Sequence, residues 1–290
     1  MTISEASKKL KESLLPVYEK RETGRISGMI MENLTGLSQT QRLIFKEKDL
    51  TQQQEKKLQD FTAQLLQHKP VQYVLHEAWF FGMKFYVDEH VLIPRPETEE
   101  LVELIIKQPS LKHPAILDIG CGSGCIAIAL KKKLSTSTVY GLDISEQALR
   151  ISKKNAVVNQ VDIEFIQNDI LNLSEDLLLP GLDIIVSNPP YIKKSEASQM
   201  NLNVLNFEPY LALFVPDNDA LIFYKAIVAF SLTHLKNEGK LFFEINESLG
   251  KEIKSLLQAN GFSNIEIKKD VYGKDRMVLA SLIRSAQICK

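Results

Sequence analysis

The sequence predicts an α/β protein in which a seven-stranded sheet follows a small N-terminal helical domain and a β-hairpin linker. From Pro114 onward, apolar strand-like runs alternate with helical runs, which is typical of a parallel sheet covered by helices on both faces. Before about His76 the chain is rich in Lys, Glu and Gln, and its apolar residues recur at helical spacing. Between these regions, residues 78–94 alternate aromatic and β-branched residues, as a hairpin does.

These changes of pattern divide the chain into a helical domain over residues 1–76, a hairpin linker over 77–95 and a sheet domain over 96–290. Ser145 and Glu146 offer an N-cap and an acidic first turn for the helix after the second strand, and a helix from about Ser123 follows the first. The late strands are free to pair antiparallel. The seven predicted strands are A-I-L-D-I, T-V-Y-G-L-D, I-E-F-I-Q, D-I-I-V-S, K-L-F-F-E-I, N-I-E-I-K and R-M-V-L-A-S-L.

The composition indicates a cytoplasmic protein without a membrane span. A length of 290 residues allows two domains. The formal net charge of −1 gives no global positive field, which argues against a nucleic-acid partner. The first residues carry no apolar leader, and no run reaches the roughly 18 apolar residues of a span.

The cysteine and histidine pattern predicts neither a disulfide framework nor a metal site. Cys121, Cys125 and Cys289 make an odd number of cysteines, and the five histidines are scattered along the chain. A structural metal site would need several such ligands grouped together. We therefore interpret the cysteines as small buried thiols.

The segment L-D-I-G-C-G-S-G-C-I-A-I-A-L, residues 117–130, predicts a strand, a glycine loop and the start of a helix. Gly120, Gly122 and Gly124 allow a sharp turn and a close approach of the backbone to a ligand. Their spacing is G-x-G-x-G, which differs from the G-x-G-x-x-G of dinucleotide-binding proteins. The loop carries Asp118 and no Lys or Arg, so it is suited to an adenosine without a diphosphate.

Acidic and amide residues at the next two strand ends strengthen the cofactor prediction. Asp143 ends the second strand, where an acidic residue of a Rossmann-like sheet binds the two ribose hydroxyls. Asn168 and Asp169 end the third strand, and Asp169 could accept a hydrogen bond from the adenine amino group. S-adenosylmethionine fits, because its methionyl ammonium would be stabilised near Asp118 or Glu97. The predicted cofactor-binding set also includes Cys121 and Ile144, which adjoin these positions.

The fourth predicted strand ends in S-N-P-P-Y, residues 187–191. Pro189 and Pro190 stiffen this turn, so the side-chain oxygen of Asn188 and the carbonyl of Pro189 can point together at a planar NH₂ group. Two fixed acceptors would orient that nitrogen and stabilise the positive charge that develops as a methyl group arrives. Tyr191 can pack on the flat acceptor group. Asn188, Pro189, Pro190 and Tyr191 are therefore the predicted catalytic residues, with no dedicated general base.

The motif N-P-P-Y occurs in enzymes that methylate adenine, guanine or glutamine nitrogens, so other blocks must identify the acceptor. The chain also contains H-K-P-V-Q-Y-V, V-L-I-P-R-P-E-T-E, F-E-P-Y-L-A-L-F and G-K-D-R in this order. Together they resemble the bacterial peptide chain release factor glutamine N5-methyltransferases, over about residues 67–282. This resemblance implies a class I S-adenosylmethionine-dependent methyltransferase fold, and a helical domain that docks class I release factors.

The resemblance also implies a substrate and several residue roles. The substrate is the glutamine of the G-G-Q motif in class I release factors. The Asn188 and Pro189 oxygens would bind its amide, with Tyr191 and Phe81 beside it, and Glu97 with Thr98 would line the cofactor pocket. The chain departs from the family pattern at V-P-D-N-D-A, residues 215–220, and at Asn246, where glycines are usual. We expect these changes to affect a surface loop and the start of the last large helix.

Three other functions remain open at this stage. One is methylation of a glutamine in a large-subunit ribosomal protein, and another is methylation of an adenine or guanine in nucleic acid. The last is a regulatory module that binds an adenosyl ligand without catalysis. The intact Asn188 and Tyr191 argue against such a module, because it would not need paired acceptors.

Overall fold

The computed structural model describes residues 1–108, 112–174 and 177–284. The chain forms two compact units. A helical unit consists of Met1–Glu77 together with Asn201–Phe207, and a sheet unit consists of Ala78–Met200 and Glu208–Lys290. The short second segment of the helical unit follows the first by more than a hundred residues in the sequence, so residue spacing gives no sign that the two associate.

Five helices build the N-terminal segment of the helical unit. Capping boxes begin three of them, at Thr2, Ser38 and Thr51, where each hydroxyl accepts a hydrogen bond from the backbone N–H three residues later. Apolar faces of the first, second, fourth and fifth helices form one buried core that includes Leu10, Ile30 and Leu65. The helices are α1 (Ile3–Leu14), α2 (Lys20–Thr35), α3 (Gln39–Ile44), α4 (Gln52–Leu66) and α5 (Val71–Leu75).

The predicted hairpin through Pro94 was wrong in its extent. Only β1 (Ala78–Phe80) and β2 (Met83–Phe85) pair, in antiparallel register around a turn at Phe81 and Gly82. The pairing ends because the Asn155 side chain takes both backbone groups of Tyr86, accepting from its N–H at 2.7 Å and donating to its carbonyl at 3.0 Å. The residues from there to Arg95 form no strand.

After the hairpin the chain alternates helices and strands as predicted, and all of these elements except the helix Leu202–Phe207 belong to the sheet unit. A short 3₁₀ helix spans Lys194–Gln199. The elements in chain order are α6 (Pro96–Ile106), β3 (Ala115–Ile119), α7 (Cys125–Lys133), β4 (Thr138–Asp143), α8 (Glu146–Val158), β5 (Glu164–Gln167), β6 (Leu182–Ser187), β7 (Ile192–Lys193), α9 (Leu202–Phe207), α10 (Tyr210–Leu213), β8 (Phe214–Val215), α11 (Ile222–His234), β9 (Leu235–Glu244), α12 (Gly250–Ala259), β10 (Phe262–Lys269) and β11 (Asp275–Leu282).

The main sheet has seven strands in the order β10-β11-β9-β6-β3-β4-β5. The strands β5, β4, β3, β6 and β9 are parallel, whereas β11 and β10 pair antiparallel at the edge. This arrangement confirms the predicted strands and the antiparallel pairing of the last two. From β3 the chain continues to β4 and β5 on one side and then returns to β6 on the other side of β3. Open α/β sheets bind ligands at such a reversal of strand order.

Apolar side chains cover both faces of the sheet. One buried cluster packs α11 and α12 against residues such as Leu117, Ile185 and Phe243, and the other packs α6 and α7 against residues such as Ile116 and Phe242. The central strands β3 and β6 are therefore buried almost throughout, whereas the edge strand β10 alternates partly buried and exposed residues. Across the described parts of the chain, no helix combines the length and the apolar character that a membrane crossing requires.

Candidate active site

A cavity of about 280 Å³ opens at the carboxyl ends of β3, β4, β5 and β6. Of the predicted site residues, the following line it: Thr98, Gly120, Cys121, Gly122, Asp143, Ile144, Asn168, Asp169, Asn188, Pro189 and Pro190. Five predicted site residues lie outside this lining: Phe81, Glu97, Asp118, Gly124 and Tyr191. The sheet thus gathers four strand ends into one site, with the predicted cofactor and acceptor residues side by side.

The glycine loop after β3 makes the floor of the cavity. Gly120 has a φ of +73°, and a Cβ there would meet no protein atom within 4 Å, so a side chain would project into open space. Gly124 has a φ of +78°, and a Cβ there would lie 3.2 Å from side-chain atoms of Ile128 and Ser152. The first glycine keeps room for a ligand and the second allows α7 and α8 to pack closely.

Asp143 ends β4 at the edge of the cavity. Its Oδ2 accepts from the Gly122 N–H at 2.8 Å and its Oδ1 accepts from the Ser145 N–H at 2.9 Å. Burial raises the pKa of Asp143, although both hydrogen bonds oppose this effect. Each oxygen keeps a further lone pair, so the carboxylate can still accept hydrogen bonds from a vicinal diol. The predicted N-cap at Ser145 is confirmed, because its hydroxyl accepts from the Ala148 N–H.

Asp118 lies beneath the loop and is fully buried. Its Oδ2 accepts from the Ala127 N–H at 3.1 Å, while Oδ1 has no hydrogen-bond partner among the described residues. Burial raises the pKa of Asp118 to about 7. A buried carboxyl oxygen without a donor is costly, and a cation or donor supplied by a ligand nearby would offset that cost.

The third strand end contributes polar side chains whose orientation is fixed locally. Asn168 donates to the Ser174 hydroxyl at 2.8 Å and accepts from the Ser174 N–H at 3.2 Å. Asp169 accepts from the Leu171 N–H at 2.9 Å through Oδ1. The turn after β5 therefore holds both side chains in place at the cavity.

Cys121 and Cys125 are free and buried, as predicted. Burial raises the pKa of both thiols, that of Cys125 to about 12, so neither is a thiolate nucleophile. Cys289 lies outside the described residues. Within residues 1–108, 112–174 and 177–284 no cluster of His, Cys, Asp and Glu is arranged to hold a metal ion.

The Asn-Pro-Pro-Tyr corner follows β6 directly. The Ser187 hydroxyl donates to the Ile119 carbonyl at 2.7 Å and so ties the end of β6 to β3. Asn188 is half-buried, and its Nδ2 donates to the Thr98 hydroxyl at 3.3 Å. Tyr191 packs against the core, and its hydroxyl donates to Glu244 at 3.5 Å.

Glu244 is a site residue that sequence reasoning missed. It is only 2% exposed, and it also accepts from the Thr98 hydroxyl at 2.6 Å. Burial raises its pKa, while the Thr98 hydrogen bond and the charge of Arg276 oppose the rise. The only available signal was an acidic residue in the otherwise apolar strand run K-L-F-F-E-I.

The start of α6 carries the other residues of the P-R-P-E-T-E block. Pro96 is the first helical residue, and Glu97 and Glu99 lie in the acidic first turn. Glu99 accepts from the Phe81 N–H at 2.8 Å, which fixes the hairpin turn. Arg95 lines the cavity and forms an ion pair with the buried Glu208. Burial raises the pKa of Glu208, and the charge of Arg95 opposes this rise.

The remaining motif residues have local roles. His68 lies beside the Tyr18 ring, at 6.1 Å between centroids, and Arg276 forms an ion pair with Asp270 at 3.3 Å. At the departures from the family pattern, Asp217 accepts from the Ser195 N–H and Asn246 accepts from Ser248. Both departures lie in turns before α11 and α12, as expected.

The residues present fit S-adenosylmethionine. Asp143 offers acceptors for a diol, Asp169 offers an acceptor beside it, and the open space at Gly120 leaves room for a ligand. The orphaned oxygen of Asp118 lies beneath. Arg95 is the only Lys or Arg among the described lining residues, and its charge is paired. The site therefore suits a cationic nucleoside better than one that carries phosphates.

Comparison with known proteins identifies the family. Residues 3–75 match the PrmC N-terminal domain and residues 97–206 match the methyltransferase small domain. A release factor glutamine methyltransferase of Flavobacterium psychrophilum is 46% identical over 92% of this chain and 94% of its own length. The chain belongs to the release factor glutamine methyltransferase family. A relative of the same name from Streptococcus pneumoniae is 38% identical over 96% of this chain and 98% of its own.

Solved structures at low identity show the fold. A methyltransferase from Pyrococcus furiosus is 16% identical, with a TM-score of 0.53 over 78% of this chain and 99% of that chain. The catalytic domain of hMettl16 is also 16% identical, with a TM-score of 0.54 over 82% of this chain and 84% of that chain. This member of the family thus has the class I methyltransferase fold that its sequence predicts.

Proposed function

We propose that the chain transfers the methyl group of S-adenosylmethionine to the side-chain amide N5 of the glutamine in the G-G-Q motif of class I release factors. It is an S-adenosylmethionine-dependent methyltransferase of the release factor glutamine methyltransferase family. The assignment of an amide as the methyl acceptor rests on one observation: Asn188 and Pro189 line the same cavity as Gly120 and Asp143. Acceptor and cofactor residues that share one cavity can hold two reactants for direct transfer.

The cofactor would be held by the three strand ends. Asp143 would accept from the ribose hydroxyls and Asp169 from the adenine amino group, while the backbone of Gly120 and Gly122 would border the methionyl part. Cys121, Ile144, Asn168 and Thr98 complete the pocket, with Gly124 shaping the loop and Glu97 contributing negative charge. Asp118 supports the loop from the core, and its charge near neutral pH is only partial because burial raises its pKa to about 7. When bound, S-adenosylmethionine supplies an electrophilic methyl group on a cationic sulfur.

The acceptor residues act by orientation and charge. The lone pair of an amide nitrogen is delocalised, so two acceptors that bind both of its N–H groups would favour a pyramidal nitrogen and stabilise developing positive charge. Asn188 Oδ1 and the Pro189 carbonyl supply these acceptors, and Pro190 keeps the turn rigid. Tyr191 and Phe81 would border the glutamine. The methylated cationic amide is strongly acidic and loses its proton without a dedicated base.

We further propose that the helical unit docks the release factor. Residues 3–75 match the PrmC N-terminal domain, and this unit exposes a group of apolar side chains at the end of α3. Leu43, Ile44 and Phe45 are 68%, 69% and 48% exposed. An Ile44→Asp variant should raise KM for the factor and leave cofactor affinity unchanged. Val157→Asp, at a comparably exposed apolar residue of α8, is the control and should leave both unchanged.

The direct test is methyl transfer from labelled S-adenosylmethionine to a purified class I release factor. The same assay includes the factor with its G-G-Q glutamine changed to alanine, a large-subunit ribosomal protein and duplex DNA. Label on the wild-type factor alone supports the proposal. Label on the ribosomal protein or the DNA would overturn the substrate and keep the acceptor chemistry, while cofactor binding without any label would overturn catalysis.

A further inference from the structure

Glu244 carries a buried carboxyl group that the proposed chemistry does not use. It lies beside the Asn-Pro-Pro-Tyr corner. It is the last residue of β9, and β9 pairs in parallel with β6, where Ser187 lies opposite Phe243. This register places Glu244 level with Asn188, at the carboxyl ends of adjacent strands. Its side chain is almost inaccessible, at 2% exposure, so its partners are protein groups.

Two hydroxyl groups donate to this carboxyl group. The Thr98 hydroxyl donates to Oε2 at 2.6 Å, and the Tyr191 hydroxyl donates to Oε1 at 3.5 Å. The Glu244 backbone carbonyl accepts from the Tyr224 hydroxyl at 3.1 Å, which fixes the end of the strand. One carboxyl group therefore contacts Tyr191 directly and reaches Asn188 through Thr98.

Burial raises the pKa of Glu244, but the Thr98 hydrogen bond and the charge of Arg276 favour the ionised carboxylate. An ionised carboxylate only accepts hydrogen bonds, and this fixes the direction of both contacts. The Thr98 hydroxyl has a single hydrogen, and it points at Glu244. Only lone pairs of the Thr98 oxygen then remain for Asn188, so the Asn188 group that faces Thr98 at 3.3 Å must be its NH₂. The oxygen Oδ1 is left for the methyl acceptor.

A neutral group in place of the carboxylate would remove this constraint. A glutamine amide can donate to the Thr98 oxygen, and the Thr98 hydrogen can then turn toward Asn188. The Asn188 amide would rotate so that Oδ1 accepts from Thr98 and its NH₂ faces the cavity. The NH₂ group of Asn188 would then face the NH₂ group of the methyl acceptor, and the pair of hydrogen-bond acceptors would be lost.

We propose that Glu244 is a positioning residue whose charge, relayed by the Thr98 hydroxyl, holds the Asn188 amide with its oxygen toward the methyl acceptor and anchors Tyr191 beside it. This inference rests on the proposed function, since it assumes that a planar NH₂ group is the acceptor. Glu244 touches no reacting atom and acts only through Asn188 and Tyr191.

The test compares Glu244→Gln, Thr98→Val and Thr98→Ser with the wild type on a release factor. Glu244→Gln and Thr98→Val should each lower kcat about 100-fold, comparable to the loss of one electrostatic contact in an active site, while KM for the factor changes less than about 3-fold. Cofactor Kd should also change less than about 3-fold in Glu244→Gln, because Glu244 does not line the cavity. Thr98→Ser keeps the hydroxyl group that Thr98→Val removes, so its kcat should stay close to that of the wild type. The double variant Glu244→Gln/Thr98→Val should be no slower than Thr98→Val alone, because each change interrupts the same chain of hydrogen bonds from Glu244 through Thr98 to Asn188.

Asp183→Asn is the matched control for the loss of a partly buried carboxylate. Asp183 lies at the opposite end of β6, where it accepts from the Ala115 N–H and from Lys236. This variant should retain wild-type kcat. The positioning role is refuted if Glu244→Gln stays within about 2-fold of wild-type kcat. It is also refuted if kcat, cofactor affinity and thermal stability all fall together in Glu244→Gln and if Thr98→Ser is as slow as Thr98→Val.

A measurement without substrate separates this inference from the proposed function. The side-chain amide resonances of Asn188, assigned by their loss in Asn188→Ala, should shift in Glu244→Gln and in Thr98→Val but not in Asp183→Asn. Unchanged resonances would refute the relay. If the wild-type enzyme labels an acceptor other than the release factor, the proposed function fails, and the same variants are compared on the acceptor that is labelled.

Discussion

Replacing Asp118 by asparagine should make the stability of the sheet unit less dependent on pH. Asp118 is fully buried, and one of its oxygens has no partner among the described residues. Burial raises its pKa in the folded protein from the ordinary 3.8 to about 7. Between these two values the folded protein holds a proton that the unfolded chain has released, so stability falls as pH rises through this window.

The magnitude follows from the difference between the two pKa values. At about 1.4 kcal/mol per pH unit, a difference of about three units corresponds to roughly 4 kcal/mol of stability lost by pH 8. Between pH 5 and pH 7 the wild type should lose about 2–3 kcal/mol relative to Asp118→Asn. The asparagine keeps an oxygen that can accept from the Ala127 N–H, and it carries no charge that burial penalises.

The assay is urea unfolding without cofactor at pH 5, 6 and 7, followed by circular dichroism and by the fluorescence of Trp79, which belongs to the hairpin of the sheet unit. Asp60→Asn removes an exposed carboxylate of α4 and controls for the change in net charge. Parallel curves of unfolding free energy against pH for the wild type and Asp118→Asn would refute the reasoning. A gap that widens with pH would support it.

The other predictions concern the corner and the loop. Asn188→Ala should lower kcat by at least about 100-fold with little change in cofactor Kd by calorimetry; equal losses in both would make Asn188 structural. Asp143→Ala should weaken cofactor binding by about 10-fold or more, because it removes charge-assisted acceptors; normal affinity would contradict the ribose assignment. Gly124→Ala should destabilise the fold by about 1 kcal/mol or more, since its φ is +78° and its Cβ would crowd Ile128; an unchanged midpoint in urea would argue against this packing role.

Local patterns were sufficient to predict most of the fold. Seven apolar runs correspond to the seven strands of the main sheet, and the Ser145 cap and the glycine loop lie where their spacing indicates. The hairpin was predicted too long because its end depends on Asn155, which is 69 residues from Tyr86 in the sequence. No pattern within residues 78–94 signals that contact.

The sequence by itself determined which chemical groups end each parallel strand, since a strand exposes its last residues at one edge of the sheet. Asp143, Asp169 and Asn188 could therefore be assigned to one cavity before any coordinates. Only the tertiary structure decided how these groups are held. Thr98 and Glu244 are 146 residues apart and meet through the register of β6 with β9 and the packing of α6. A hydrogen bond acts over about 3 Å, and separation along the chain does not reveal which side chains come that close.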